Sequence, residues 1–259
     1  MTLQIFLGNA LGILAIATLV WLYSVRIRDA SIVDPWWSML FLWVVWHTAL
    51  RTGLTPGKVL LLGLVTAWAL RLFIHLSLRR RGHPEDPRYA AFRQRFGPER
   101  YWWFSFFQVF LLQGTLALII SAPLQVAASA PALDPVSPLD IAGAAAFATG
   151  FGLEAIADAQ LQRFRDDPSC RGKVLDTGLW AWSRHPNYFG EAVLWWGLWL
   201  CAADQPGGWA TALAPALMTF LLVRVSGVAM LDDLLRKTKP QYASYVQRVP
   251  AFIPRRPGR

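Results

Sequence analysis

Seven stretches of the chain are apolar for about as long as a helix needs to cross a bilayer, and Pro, Gly and charge separate them. They run Leu3–Val25, Ile32–Leu50, Gly57–Leu78, Tyr101–Leu124, Leu139–Ala157, Tyr188–Ala203 and Gly208–Leu231. A spanning helix takes about 20 residues. The second and sixth runs are short, and each has a carboxylate near its start, Asp34 and Glu191. The first run is apolar for too long to be a cleaved leader and lacks a basic start and a small-residue cleavage site, so it reads as a retained helix. No internal repeat or low-complexity tract interrupts the pattern. The expectation is an all-α integral membrane protein, one seven-helix domain over 1–259, with segments 79–100 and 158–187 capping the bundle from one side.

Charge then gives the expected direction. Lys and Arg number 25 against 16 Asp and Glu, a net charge of +9. Seven of the basic residues lie between Arg79 and Arg100, five between Asp158 and His185, seven after Leu231, and two are Arg26 and Arg28. These 21 of 25 fall on alternate connections. Basic loops stay cytoplasmic, so the N-terminus is expected outside and the C-terminus in the cytosol. The same distribution turns the positive charge into a topology signal and removes the case for nucleic acid. Cys170 and Cys201 are too few for a disulfide framework and have no metal-ligand spacing, so no metal is expected.

Ionisable side chains inside or at the edges of the runs ask for a partner or a cavity, since each costs a few kcal/mol in lipid. They are Asp34, Arg71, His75, Glu154, Asp158, Glu191, Arg224 and the pair Asp232–Asp233. A polar chamber open to the cytosol accounts for them together. Two connecting segments are richer than tethers need to be. One is Arg79-Arg80-Arg81-Gly82-His83-Pro84-Glu85-Asp86-Pro87-Arg88-Tyr89, and the other is Leu179-Trp180-Ala181-Trp182-Ser183-Arg184-His185-Pro186-Asn187-Tyr188-Phe189-Gly190-Glu191. Arginine forks suit phosphate oxygens, aromatic faces suit a flat heterocycle, and Asn and Asp suit ribose or amide groups. No Gly-x-Gly-x-x-Gly, Walker loop or His-Glu-x-x-His is present. The residues themselves point to a membrane enzyme with an anionic, cytosol-facing cofactor and do not choose its reaction.

The segments Gly150-Phe-Gly-Leu-Glu154, Gln162-Arg-Phe-Arg165, Asp176-Thr-Gly-Leu-Trp180 and Ser183-Arg-His-Pro-Asn-Tyr-Phe-Gly-Glu191 resemble the steroid 5-alpha-reductase family, most of all its bacterial branch. Ser31-Ile-Val-Asp34, Glu85-Asp-Pro-Arg-Tyr89, Leu112-Gln-Gly114 and the stretch Tyr242 to Pro254 add to the likeness, which covers nearly the whole chain. The resemblance implies seven helices, NADPH held in the cytosolic half, and reduction of a carbon–carbon double bond conjugated to a ketone, as in a 3-oxo-Δ4-steroid or a similar lipophilic enone. It places Asp158, Arg165, Lys173, Asn187 and Glu191 on family cofactor positions, and aligns Arg71 with a family arginine that meets a phosphate. Arg79, Arg80, Asp86, Arg88, Tyr89, Trp180, Ser183, Arg184, His185 and Tyr188 join the cofactor candidates by adjacency in the two rich segments.

In such a reduction hydride reaches carbon 5 and negative charge gathers on the carbonyl oxygen, where a hydrogen-bond donor lowers the barrier. Asp34 matches the family's catalytic glutamate in position and chemistry and is expected at that oxygen. The tyrosine that accompanies this acid in the animal enzymes would fall near Trp68, and the third run contains no tyrosine. His75 is one candidate substitute, and Tyr101 or water are others. The Arg-His-Pro-Asn-Tyr core also occurs in isoprenylcysteine carboxyl methyltransferases and sterol carbon-14 reductases, so an S-adenosylmethionine-dependent membrane methyltransferase is the alternative. Composition and resemblance favour a multi-pass protein of a bacterial inner membrane, surrounded by lipid, for which a monomer suffices.

Overall fold

A computed structural model describes residues 1–130, 135–225, 235, 239 and 241–256. The end of the seventh expected span, the Asp232–Asp233 pair, and Arg236, Lys237 and Arg259 of the basic tail lie outside the described residues. Everything regular among the described residues is helical. Helix α1 is Leu3–Ile27, α2 Val33–Thr52, α3 Pro56–Arg80, α4 Pro87–Phe96, α5 Pro98–Ile120, α6 Ala122–Ala128, α7 Pro138–Asp166, α8 Pro186–Ala203, α9 Gly208–Val225 and α10 Tyr242–Arg248. Five of them, α1, α3, α5, α7 and α9, are long and apolar enough to cross a membrane. Only about 28–33% of each spanning window is buried within the protein, and residues such as Leu3, Leu11, Leu19, Leu70 and Ile74 face outward, as lipid contact favours.

Helices α2 and α8 form where the sequence places its second and sixth runs, at 20 and 18 residues. They are less apolar than the five. Helix α2 holds four tryptophans besides Asp34, His47 and Arg51, and α8 holds Asn187, Glu191 and three tryptophans. The fifth run extends nine residues past its expected end at Ala157, because no helix breaker occurs before Asp167-Pro168. The fourth run stops at Ile120, and the separate helix α6 follows with Pro123 in its first turn.

Helices α4 and α10 lie outside the seven expected runs. The segment after Arg80 folds back as α4 because Asp86 caps it by accepting from the Arg88 backbone N–H (2.9 Å), with Pro87 in the first turn, where no amide is needed. Gly97, at φ 86°, then separates α4 from α5.

Two compact units emerge, Met1–Ser137 with Ala202–Trp209, and Pro138–Cys201 with Ala210–Arg259. In the first, α1 lies close on α2 because Gly8 and Gly12 leave room for the His47 and Trp43 rings. Asn9, fully buried there, donates to Thr48 Oγ1 (3.0 Å), and its Oδ1 meets His47 Nδ1 at 2.7 Å. The buried amide is thereby satisfied. In the second unit, α7 and α8 touch backbone to backbone. A Cβ on Gly150 would sit 2.5 Å from the Gly190 carbonyl oxygen and from the Leu194 nitrogen, and a Cβ on Gly143 would sit 2.6 Å from the Gly197 oxygen.

Candidate functional site

In the first unit, the short connection from α1 to α2 and the segment from Arg80 to Phe96 are laced together. Asp29 accepts from Ser31 N–H (2.9 Å) and from Arg80, whose guanidinium also reaches Ser31 Oγ. Ser31 Oγ, 1% exposed, accepts as well from the Asp86 N–H (3.1 Å). Glu85 takes the Ala30 N–H at 2.8 Å and both arms of Arg93 at 2.9 and 3.0 Å. Arg93 lies 4.8 Å over the Tyr101 ring, so Tyr101 belongs to this strap.

Asp34, in the first turn of α2, lies beneath the strap. Its Oδ2 accepts from Arg88 at 2.9 Å and its Oδ1 accepts from the Tyr89 hydroxyl at 2.6 Å. Arg88 also reaches both Asp86 oxygens, at 2.9 and 3.2 Å. Gln113 of α5 donates to Tyr89 Oη at 3.2 Å. Tyr89 is 6% exposed. Burial first, then the Asp34 charge and hydrogen bond, push its phenol well above the usual value, which keeps the proton on oxygen. A phenol so placed is a hydrogen-bond donor and a poor acid.

His75 is half-buried on α3, and the phenol beside Asp34 comes from α4. Spacing had no means of finding it, since Asp34 and Tyr89 are 55 residues apart. Arg80 and Arg88, read as cofactor candidates, hold carboxylates here. Arg79 is exposed and Arg71 half-buried on α3.

Asp86 carries a testable acid dependence. Burial works against its charge, but the hydrogen bonds and charge of Arg88, aided by Arg79, outweigh it and hold the carboxyl below its ordinary value. A depressed folded value means that the contribution to stability is full above about pH 4 and fades as pH falls through the lower one. Amide exchange across 86–96, corrected for intrinsic rates, is expected to match at pH 7 and pH 5 and to quicken below about pH 4. Asp86→Asn should remove that acid response.

The second unit holds the other group. Glu154 and Asp158 lie four residues apart on α7, 3% and 6% exposed. Asn187, in the first turn of α8, donates to Asp158 Oδ1 at 3.1 Å, and its own Oδ1 is buried without a hydrogen-bond partner among the described residues. Glu191, one turn on, is also buried, as are Arg184 and His185.

The segment leading to α8 is clamped on both sides. Trp180 donates to the Ala157 carbonyl (3.1 Å), Gln160 accepts from Leu179 N–H (3.0 Å), and Tyr245 donates to the Trp180 carbonyl (2.6 Å). Ser183 donates to the Phe252 carbonyl (2.8 Å), and Arg184 N–H to that of Pro250 (2.9 Å). His185 stacks on Tyr188 at 5.6 Å. Trp180 and Ser183 thus act as fasteners for the stretch that carries Asn187. Arg165 and Lys173 are exposed. The structure groups Asp158, Asn187 and their buried neighbours in one unit, and Asp34, Arg88 and Tyr89 in the other.

A family model described as "Protein of unknown function (DUF1295)" matches residues 20–249. Uncharacterized protein C594.04c of Schizosaccharomyces pombe is 25% identical, over 99% of this chain and 79% of its own length.

Proposed function

This chain belongs to DUF1295, the steroid 5-alpha-reductase-like family in general, and we propose that it is an NADPH-dependent reductase of the carbon–carbon double bond in a lipophilic enone, a 3-oxo-Δ4-steroid or a molecule of similar shape. The observation that carries the reading is the buried Tyr89 phenol, held 2.6 Å from Asp34 at the mouth of an apolar, tryptophan-rich helix. Such a pair suits a ketone oxygen on a greasy substrate. Charge that develops on that oxygen strengthens a donated hydrogen bond, and the strengthening lowers the barrier.

We assign the work differently from the sequence expectation. Asp34 already accepts from two donors, so it holds and charges the pair, while Tyr89 supplies the O–H that the ketone meets on taking the place of Asp34 Oδ1. When bound, a reduced nicotinamide supplies the hydride that adds to the enone's β-carbon, and the α-carbon takes a proton from water. One enone, one NADPH and one proton give one saturated ketone and one NADP+. In the second unit, Asp158, Asn187 and Glu191 offer acceptors for ribose hydroxyls and a carboxamide, and the unpartnered Asn187 Oδ1 fits an amide N–H. Arg165 and Lys173 offer cations for phosphates. Arg71 and Arg79 remain candidates through the resemblance. Seven spans with a cytosolic C-terminus complete the proposal and follow from the basic segments, while the bacterial inner membrane rests on composition and resemblance.

A membrane methyltransferase shares the Ser183–Tyr188 motif, but an acid–phenol pair answers no need of methyl transfer from a sulfonium. Titration of the purified protein with NADPH and with S-adenosylmethionine separates the two. NADPH is expected to bind, and to be oxidised when steroid enones are added. Binding of S-adenosylmethionine alone would reverse the assignment.

A further inference from the structure

We propose that Gln113 is a positioning residue for this chemistry: its side-chain amide aims the Tyr89 hydroxyl and polarises it. The inference rests on the reductase reading and concerns a residue which that reading leaves without a task.

Hydrogen-bond bookkeeping sets the direction. A phenol oxygen has one proton to give and room to accept. The Gln113 Nε2 can only donate, so its 3.2 Å contact occupies an accepting position on Tyr89 Oη. The phenol proton is left to point the other way, where Asp34 Oδ1 stands at 2.6 Å with Arg88 behind it. The chain therefore runs from Gln113 to Tyr89 to Asp34. A group that receives a hydrogen bond becomes a stronger donor in turn. A ketone that takes the place of Asp34 Oδ1 meets an O–H already turned toward it. The charged groups that face this phenol are Asp34 and Arg88.

The surroundings of Gln113 fit a placed residue. Glutamine is an unfavourable choice between Leu112 and the apolar turns that follow, unless its amide is used. Its backbone carbonyl accepts from Trp37 Nε1 at 3.3 Å, and Trp37 lies one turn beyond Asp34 on α2. The same helix thus fixes both ends of the hydrogen-bonded chain. Just before Gln113, residues Phe106–Leu111 form a wide π turn inside α5. Each extra residue in a turn rotates everything after it by about 100° around the helix. Such turns are uncommon and gather at functional sites. This one lies directly before Gln113 and so bears on the direction in which its amide projects. Gly114, where a Cβ would meet Ile13 Cγ2 at 3.0 Å, keeps this part of α5 close to α1.

Gln113→Leu keeps the bulk and removes the donor. The turnover number for an enone is expected to fall about tenfold, the scale of one hydrogen bond, with the KM nearly unchanged. In a Tyr89→Phe background the same substitution should have no further effect, because its action passes through the phenol. An equal loss in both backgrounds would mean mere structural damage and would overturn the proposal.

A second measurement needs no activity. The Raman doublet of tyrosine reports whether a phenol donates or accepts, and subtracting the Tyr89→Phe spectrum isolates Tyr89 among the 6 tyrosines. Gln113→Leu should convert its signal from donor-and-acceptor to donor only; an unchanged signal would also overturn the proposal. If the protein reduced no enone while the Raman change occurred, the reductase reading would fall and the aiming of Tyr89 by Gln113 would stand.

Discussion

Asp34→Ala and Tyr89→Phe should each lose about a hundredfold in enone turnover, the usual cost of one donor at a developing oxyanion, while NADPH binds as tightly as to the unaltered protein. The two routes differ. Tyr89→Phe removes the O–H itself. Asp34→Ala leaves the O–H but takes away the acceptor that turns it, and it strips Arg88 of one of its two carboxylates. Because both substitutions act on one unit, the double variant should be scarcely slower than either single one. Nicotinamide affinity provides the control, since Asp158 and Asn187 belong to the other unit. Wild-type turnover in either single variant would remove the acid–phenol pair from the reaction. Loss of NADPH binding in step with turnover would make Asp34 a structural residue.

Gly150→Ala is expected to disturb the fold with a single added methyl. The added methyl would meet backbone on both sides, the Gly190 oxygen and the Leu194 nitrogen, each at 2.5 Å. No rotamer change relieves a contact between main chains, so α7 and α8 must move apart. Overpacking of this kind costs about 1–3 kcal/mol, which should appear as a lower midpoint of thermal unfolding in detergent. Glu154 and Asp158 follow on α7, and Asn187 stands seven residues, about two turns, before Leu194 on α8. The shift should therefore weaken nucleotide binding along with stability. Gly190→Ala is expected to do the same from the other side, since its Cβ would lie 2.6 Å from the Gly150 oxygen. An unchanged midpoint in both variants would show that the helices do not touch as described.

How much of this was legible beforehand follows from the kind of signal each feature leaves. Helix α7 could be read because its apolar residues and the absence of breakers are local properties; only its end was misplaced, for want of a stop signal between Ala157 and Asp167. Glu154 with Asp158 could be paired because four residues make one helical turn. Asp34 stood out because a carboxylate in an apolar run is conspicuous wherever it points. Tyr89 could be marked as unusual in its segment, but not assigned to Asp34. Gln113 drew notice only as part of a family likeness, and the glycines at 143, 150, 190 and 197 were not seen as two facing pairs.

The amino-acid sequence by itself determined that this is a helical membrane protein, which segments are apolar enough to enter lipid, and which connections are basic, because these properties are sums over neighbouring residues. Tertiary structure decided which distant side chains meet. A capped helix after Arg80 carries Tyr89 back onto Asp34, Gln113 of α5 reaches Tyr89 just after a π turn, and missing side chains let α7 rest on α8. A hydrogen bond depends on tenths of an ångström between atoms 24 to 55 residues apart, and no local pattern in the chain records that distance.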